Sequence, residues 1–235
     1  TNLAGRFSRA RELLPPKNLG SALNLKPILQ IQGDKLDAYI HAVMEFNKTY
    51  NLVRADTEDE IAVNHVLDSL AAYSPLAQIV SRLESKTQNR PVQAADIGSG
   101  GGCPGLPLAT VFPQVSFTLV ERMEKRCVFL EDAVKKMGLK NVKVLCSAAD
   151  AVEAESFDLE VFRAFHPFDK KIVKLLLRML KKGGTLAAYK ARSEKIEAEM
   201  QGIKMIVPEY KKIPLEVPYL EDHERNLVVI EDPRA

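Results

Sequence analysis

The segment Ala94–Pro107, AADIGSGGGCPGLP, concentrates the residue types that could do chemistry. Gly98, Gly100, Gly101 and Gly102 let a main chain approach a ligand where a side chain would clash. The apolar run before them reads as a strand. The run after them reads as the start of a helix, whose first turn offers unpaired N–H groups and a positive dipole end. Four glycines in five positions cost chain entropy and promise no packing gain, so the spacing favours a ligand-binding turn over a tight turn alone. In open α/β sheets such ligands sit at the carboxyl ends of the strands, near the point where strand order reverses.

Two ligand classes compete for this turn. Gly100 to Gly105, GGGCPG, matches the G-x-G-x-x-G fingerprint of dinucleotide sites. That frame begins four residues after Asp96, too far from the strand, and Pro104 would stand inside the phosphate contact. The other frame, Asp96-Ile97-Gly98-Ser99-Gly100, is an acid followed by G-x-G and resembles motif I of class I S-adenosylmethionine-dependent methyltransferases. It suits a zwitterion without phosphate: backbone passes the methionine portion, and the acid attracts its ammonium or orders water. Glu121 ends the next strand, SFTLVE, where an acid can accept both ribose hydroxyls. Dehydrogenases use the same device, and a surface pair with Arg122 or Lys125 is the plain alternative. Asp150 follows the third strand, where it suits an adenine amino group with Ala149 against the ring, or equally a helix N-cap.

These residues need a scaffold, and the chain has one. Its 235 residues allow one domain plus an extension, or two small domains. Hydrophobic residues at 46% and charged residues at 27% exclude wholesale disorder. No apolar run reaches the roughly 18 residues of a membrane span, and the arginine-bearing N-terminus lacks the apolar centre of a secretory signal. Cys103, Cys127 and Cys146 are odd in number and widely spaced, and His41, His65, His166 and His223 form no HExxH-type pair. Neither a disulfide framework nor a metal site is expected, and a reducing cytosol fits.

Residues 1–90 read as a helical cap and 91–235 as the ligand-binding domain. In the first part, Leu36, Ile40, Val43, Met44 and Phe46 give one apolar helix face over 34–50, with Asp34 as its N-cap. A short helix starts after Asp56 or Thr57, and another after Ser74-Pro75. Residues 85–91 are a polar boundary loop. Beyond it, strands 92–97, 116–121, 142–146, 157–161 and 185–190 alternate with helices 106–111, 125–137 and 169–180, with Gly138 and Gly183 as helix caps. That alternation predicts a doubly wound, mostly parallel α/β sheet. Residues 204–217 and 226–231 add an antiparallel hairpin at one edge.

Four further stretches make the resemblance specific: FNKTYNLV followed by HVLDSL (46–53, 65–70), DIGSGGGCPGLPL (96–108), LVERMEKRCVFL (119–130) and FRAF (162–165). Together they resemble the glucose-inhibited division protein B family, bacterial methyltransferases that act on guanine N7 of small-subunit (16S) ribosomal RNA. The resemblance implies a Rossmann-like class I methyltransferase fold, S-adenosyl-L-methionine as cofactor and a cytoplasmic enzyme. It places cofactor contacts on Gly98, Cys103, Ala149, Asp150 and Arg163, beside Asp96, Gly100 and Glu121 from the motif reading. Cys103 stands where an apolar residue is usual, and His166-Pro167 where small polar ones are.

Guanine N7 carries a free lone pair, so its methylation needs no general base. Positioning then supplies the rate, up to roughly 7–11 kcal/mol when reactants are well aligned. Arg163, at the end of the fourth strand, is the positioning residue, for guanine O6, a phosphate or the cofactor carboxylate; a surface ion pair is the plain alternative. Phe165 either stacks on a base or packs in the core. Basic residues crowd 170–195, among them Lys170, Lys171, Lys190 and Arg192, against the single acid Glu194. A second basic cluster comprises Arg6, Arg9, Arg11, Lys17, Lys26 and Lys35. Both suit RNA phosphates despite a net charge of only +2, although Lys170–Lys182 equally suit a solvated helix face. HVLDSL reads as a joint that seats the cap over the cofactor, with His65 touching substrate as the alternative; its His65, Asp68 and Ser69 lie too close in sequence for a hydrolase triad. A monomer is expected. A non-catalytic RNA-binding assembly factor and a nucleotide-dependent dehydrogenase remain the alternatives.

Overall fold

The computed structural model describes residues 26–234, so Arg6, Arg9, Arg11 and Lys17 of the basic N-terminal cluster lie outside the described residues. The strands are β1 Gln93–Ile97, β2 Ser116–Glu121, β3 Val142–Cys146, β4 Phe157–Arg163, β5 Leu180–Lys190, β6 Lys211–Pro214 and β7 Asn226–Glu231. They form one sheet in the order β3-β2-β1-β4-β5-β7-β6. β3 to β5 run parallel, while β7 is antiparallel to both β5 and β6. Strand order reverses between β1 and β4, so their carboxyl ends frame the crevice where open α/β sheets take ligands. The α/β fold and the antiparallel edge hairpin agree with the sequence reading.

Alternating side chains divide the sheet between two cores. On one face Ala94, Phe117, Leu119, Leu159 and Val161 pack beneath α1 (Lys26–Asn47), α4 (Tyr73–Glu84), α5 (Gly105–Val111) and α6 (Glu124–Lys136). On the other, Ala95, Ile97, Phe162 and Leu186 meet α7 (Lys170–Met179) and α8 (Ser193–Ile203). The N-terminal helices therefore share a continuous core with the sheet. Between α1 and α4 runs one irregular helix: α2 Glu58–Ile61, capped by Thr57 Oγ1, a π-helical stretch Ala62–Leu67, and α3 Asp68–Leu70. The polar loop before β1 is tied down by Asp158, which accepts both Arg90 guanidinium nitrogens at 2.6 and 2.7 Å and the Gln93 N–H at 2.8 Å.

Several local expectations are corrected. Asp34 is not an N-cap: α1 begins at Lys26, and Gly33 is buried inside it, so tertiary packing carries the helix past a weak former. Gly183 is not a helix cap. β5 starts directly after α7, and Gly183 sits inside it at φ +73 beside a register shift between Phe157 and Leu159. α8 escaped notice because its buried residues, Ile196, Met200 and Ile203, are only three among charged neighbours. β6 spans four residues of the longer stretch assigned to it.

Glu160 is fully buried on β4 with neither carboxylate oxygen partnered among the described residues. Burial pushes its pKa well above the ordinary 4.5, only partly offset by Arg178 and Arg234. A raised carboxyl pKa stabilises the fold below pH 4.5 and loses that contribution as pH climbs toward the folded-state value. Glu160→Met is expected to raise the unfolding free energy at neutral pH by about 1–3 kcal/mol. The gain should shrink toward pH 4.5; urea titrations of both proteins across that range would show a pH-independent gain if Glu160 were ionised in the fold.

Candidate active site

The glycine turn is built on hydrogen bonds from its own backbone. The N–H groups of Gly98 and Ser99 both donate to the Val120 carbonyl, at 2.9 and 3.1 Å. Gly100 donates to Glu121 Oε2 at 2.9 Å, and Met123 donates to Oε1 at 2.9 Å. Asp96 is buried; its Oδ2 accepts from Gly105, the first residue of α5, at 2.9 Å, while Oδ1 has no partner among the described residues. Burial raises the Asp96 pKa to about 7, against the lowering effect of the Gly105 N–H. The two acids thus shape the loop before they meet any ligand.

Packing accounts for much of the glycine density, contrary to the expectation of no packing gain. A Cβ on Gly105 would lie 2.5 Å from Leu119 and 2.7 Å from Asp96 Oδ2. One on Gly101 would lie 2.6 Å from Val53 of the segment after α1. Gly98, at φ +70, would drive a Cβ to 2.4 Å from the Phe165 ring. Gly100 is different, with nothing closer than 3.8 Å. α1 reaches the loop through Tyr39, whose hydroxyl donates to the Gly101 carbonyl at 2.7 Å and lies 3.1 Å from Cys103 Sγ. Cys103 is a free, buried thiol, which packs as a small hydrophobe at a place where an apolar residue is usual.

Asp96, Gly98, Gly100, Glu121 and Arg163 come together along the carboxyl edge of β1, β2 and β4. Ala149 and Asp150 lie beyond β3 on a single 3-10 turn, Ala149–Ala151. Asp150 is exposed, and carbonyls of both residues accept from Arg178 of α7, at 3.3 Å and 3.1 Å. Cys127 and Cys146 flank the same edge as a disulfide pair, which corrects the reading of the cysteines as unpaired. They are 19 residues apart, but α6 folds back over β2 and β3. Spacing in sequence could not show that.

Across β4 from the glycine turn opens a cleft of about 600 Å³. Its walls come from the π-helical stretch (Asn64, His65), the end of β4 with its loop (Arg163–Pro167), and the end of β5 (Tyr189–Arg192). Lys195 and Arg225 also line it. Arg163 is more committed than a free guanine-binding arginine. Its Nη1 donates to Asp68 at 2.5 Å and to the Asn64 carbonyl at 2.7 Å, and Nη2 lies 2.7 Å from His65 Nδ1. Asp68 also accepts from Arg225 Nε at 2.9 Å, and Tyr189 donates to the Ser69 carbonyl at 2.6 Å. HVLDSL is therefore clamped to the ends of β4 and β5. Arg225 and Tyr189 escaped the sequence reading; an acid in the otherwise uncharged VLDSL was the available hint.

The basic residues separate by position. Arg192 and Lys195 are exposed on the cleft. Lys190 lines it too, but its ammonium is held by Glu199 at 2.7 Å and stands 4.3 Å over the Phe168 ring. Lys170 and Lys171 are exposed at the start of α7, outside the cleft lining, while Val173, Leu176 and Leu177 of that helix are buried. Phe165 does pack, against Gly98 and edge-on to Phe162, yet it also faces the cleft. Among the described residues no group of three or more His, Cys, Asp or Glu side chains could hold a metal ion, and no helix is long and apolar enough to cross a membrane.

Comparison with known proteins agrees with this architecture. The chain resembles a tRNA methyltransferase from Aquifex aeolicus at a TM-score of 0.52 and 16% identity, covering 70% of this chain and 68% of that one. A methyltransferase from Pyrococcus furiosus matches at 0.50 and 17%, covering 67% and 82%. At such identities these likenesses concern the fold. Curated proteins named ribosomal RNA small subunit methyltransferase G are nearer in sequence. That of Treponema denticola is 37% identical over 218 residues, 84% of this chain and 85% of the relative. That of Brachyspira hyodysenteriae is 31% identical over 214 residues, 90% and 97%. The family model GidB, described as rRNA small subunit methyltransferase G, matches residues 32–228, and with these relatives it shows that the chain belongs to the GidB family.

Proposed function

We propose that this protein transfers a methyl group from S-adenosyl-L-methionine to N7 of a guanine in 16S ribosomal RNA. Residues 91–235 would serve as the transfer domain and 1–90 as its cap, in a cytoplasmic monomer acting on RNA or the small subunit. The observation that carries the reading is the cleft beside the glycine turn. It opens at the carboxyl ends of β4 and β5, beside the switch point, Phe165 is its partition from Gly98, and Arg192, Lys195 and Arg225 give it a basic wall.

The residues present fit the cofactor. Asp96 has a buried, unpartnered oxygen that a cationic group could satisfy. Glu121 has spent one lone pair on each oxygen, leaving acceptors for ribose hydroxyls. Gly100 leaves its ligand side open, and Ala149 and Asp150 are held in place by Arg178. Cys103 points its sulfur at Tyr39, so only its backbone is free for a contact. Bound there, S-adenosylmethionine supplies an electrophilic methyl carbon on a sulfonium. The protein's task is alignment. Arg163 clamps the cleft wall, Phe165 offers a stacking face, and Arg192 and Lys195 hold RNA phosphates, with Lys170, Lys171 and Lys190 as outer or indirect contributors. N7 has no proton to lose, so no base must be freed from the ion pairs described above.

The test is transfer of label from S-adenosylmethionine to unmodified small subunits and to their naked RNA, followed by mass mapping. A single 7-methylguanosine is expected. Absence of incorporation into both would overturn the reading, and RNA binding without transfer would favour an assembly factor.

A further inference from the structure

Building on that reading, we infer that the carboxyl end of β2 carries a second RNA-docking face. Lys48, Tyr50, Arg54, Arg122 and Lys125 form it, and it grips the substrate backbone a few nucleotides from the target base. The face is made of two segments, 48–56 and 122–126. Together they hold five cations and two acids, Asp56 and Glu124. One cation is committed: Arg126 lies 3.9 Å from Glu121. Lys48, Arg54, Arg122 and Lys125 are exposed and form no ion pair among the described residues. The surface pair of Glu121 with Arg122 or Lys125 that the sequence allowed is therefore not made.

The first segment is a built platform. Asn47, the last residue of α1, knits it together. Its Oδ1 accepts from the Leu52 and Val53 N–H groups at 3.0 and 3.2 Å, and its Nδ2 donates to the Val53 and Ala55 carbonyls at 2.9 and 3.3 Å. Val53 and Leu52 seat this loop on Gly101 of the glycine turn. The second segment joins it through aromatic rings. Lys125 Nζ stands 5.1 Å over the Tyr50 ring, and Phe46 bridges Tyr50 and Phe129 at centroid distances of 4.9 and 5.0 Å. Backbone that is already fixed leaves less to order when a partner binds.

The chemistry of the face selects its partner. Four unpaired cations call for a polyanion. An ordinary solvated face has no reason to expose Tyr50 at 43% and Met123 at 47% as well. Aromatic and apolar surface among cations suits a nucleic-acid strand, with phosphates on the charges and bases on the ring faces. Position agrees. The end of β2 lies on one side of β1, and the cleft at the ends of β4 and β5 lies on the other. Neighbouring strands are about 4.8 Å apart, so about 10–15 Å separates the two sites. A few nucleotides bridge that distance, passing over the glycine turn. Phosphate contacts fix register and orientation, and two separated grips set the direction of the strand where one basic wall would let it pivot.

The test reads binding without methyl transfer. Fluorescently labelled full-length protein is titrated with naked small-subunit RNA and with small subunits over a salt series. Each phosphate contact removed lowers the slope of log affinity against log salt by about 0.7–0.9. The triple variant Arg54→Gln, Arg122→Gln, Lys125→Gln should lose about 2 in slope and about tenfold or more in affinity. A charge-matched control, Lys135→Gln, Lys140→Gln, Lys143→Gln, alters exposed lysines around the amino end of β3 and should lose far less. Arg54→Lys with Arg122→Lys keeps both charges and should keep the slope. Calorimetry with S-adenosylmethionine should find the first triple variant within about twofold of wild type. Equal slopes and affinities for the two triple variants would overturn the docking face and leave the proposed function standing. So would an RNA defect matched by an equal loss of cofactor affinity, which would mean that these residues only support the turn. Wild type that binds RNA through this face but transfers no label would overturn the proposed function alone, and wild type that does neither would overturn both.

Discussion

Replacing Asp68 with alanine is expected to lower the unfolding free energy by about 3 kcal/mol and to abolish methyl transfer. Asp68 is 3% exposed and bridges two guanidinium groups, Arg163 at 2.5 Å and Arg225 at 2.9 Å. Removing the shared acid strands both cations. Breaking a buried pair costs about 3–5 kcal/mol, and the lower end applies because the arginine side chains keep 19% and 28% of their exposure. The functional loss has a separate cause. Without Asp68, Arg163 keeps only the Asn64 carbonyl and His65 Nδ1 as partners, and the cleft wall loses its charged tie to β4. Asp68→Asn, similar in shape but uncharged, should recover part of the stability and little of the activity. Urea unfolding beside label transfer separates these outcomes; a stable, active alanine variant would show that the clamp is incidental.

Gly98→Ala should weaken S-adenosylmethionine binding at least tenfold, about 1.4 kcal/mol or more. The position is doubly demanding. At φ +70 an L side chain carries a strain of about 1–2 kcal/mol, and its Cβ would meet the Phe165 ring at 2.4 Å. Phe165 must move, and with it the partition between turn and cleft. A Gly98→Ala, Phe165→Ala double variant removes the collision but keeps the backbone strain. Its stability should lie above the sum of the single losses, the coupling expected of residues in contact. Calorimetry with the cofactor and denaturant titration measure both quantities. Additive losses would mean that the glycine answers only to backbone conformation.

How far these positions were legible from sequence differs by residue. β2 and β3 fell on the residues expected because alternating apolar runs and their turns are short-range signals. The glycine turn was equally plain, though its cause was half misread. Local sequence shows conformational freedom, but it cannot show Val53 or Leu119 pressing on a Cα from elsewhere in the chain. Asp34 and Ser193–Ile203 failed for the opposite reason. A local cap signal was overruled by packing in the first, and a sparse apolar stripe became a buried face in the second.

The amino-acid order alone determined the parallel sheet, its edge hairpin, the glycine turn and the acids at the strand ends, since each is written within a few neighbouring residues. Only the folded chain decided which charges are available. Asp68 finds Arg163 95 residues away and Arg225 157 away, Cys127 meets Cys146, and Lys190 is taken by Glu199 before any phosphate can reach it. Pairings of that kind depend on burial and distance in space.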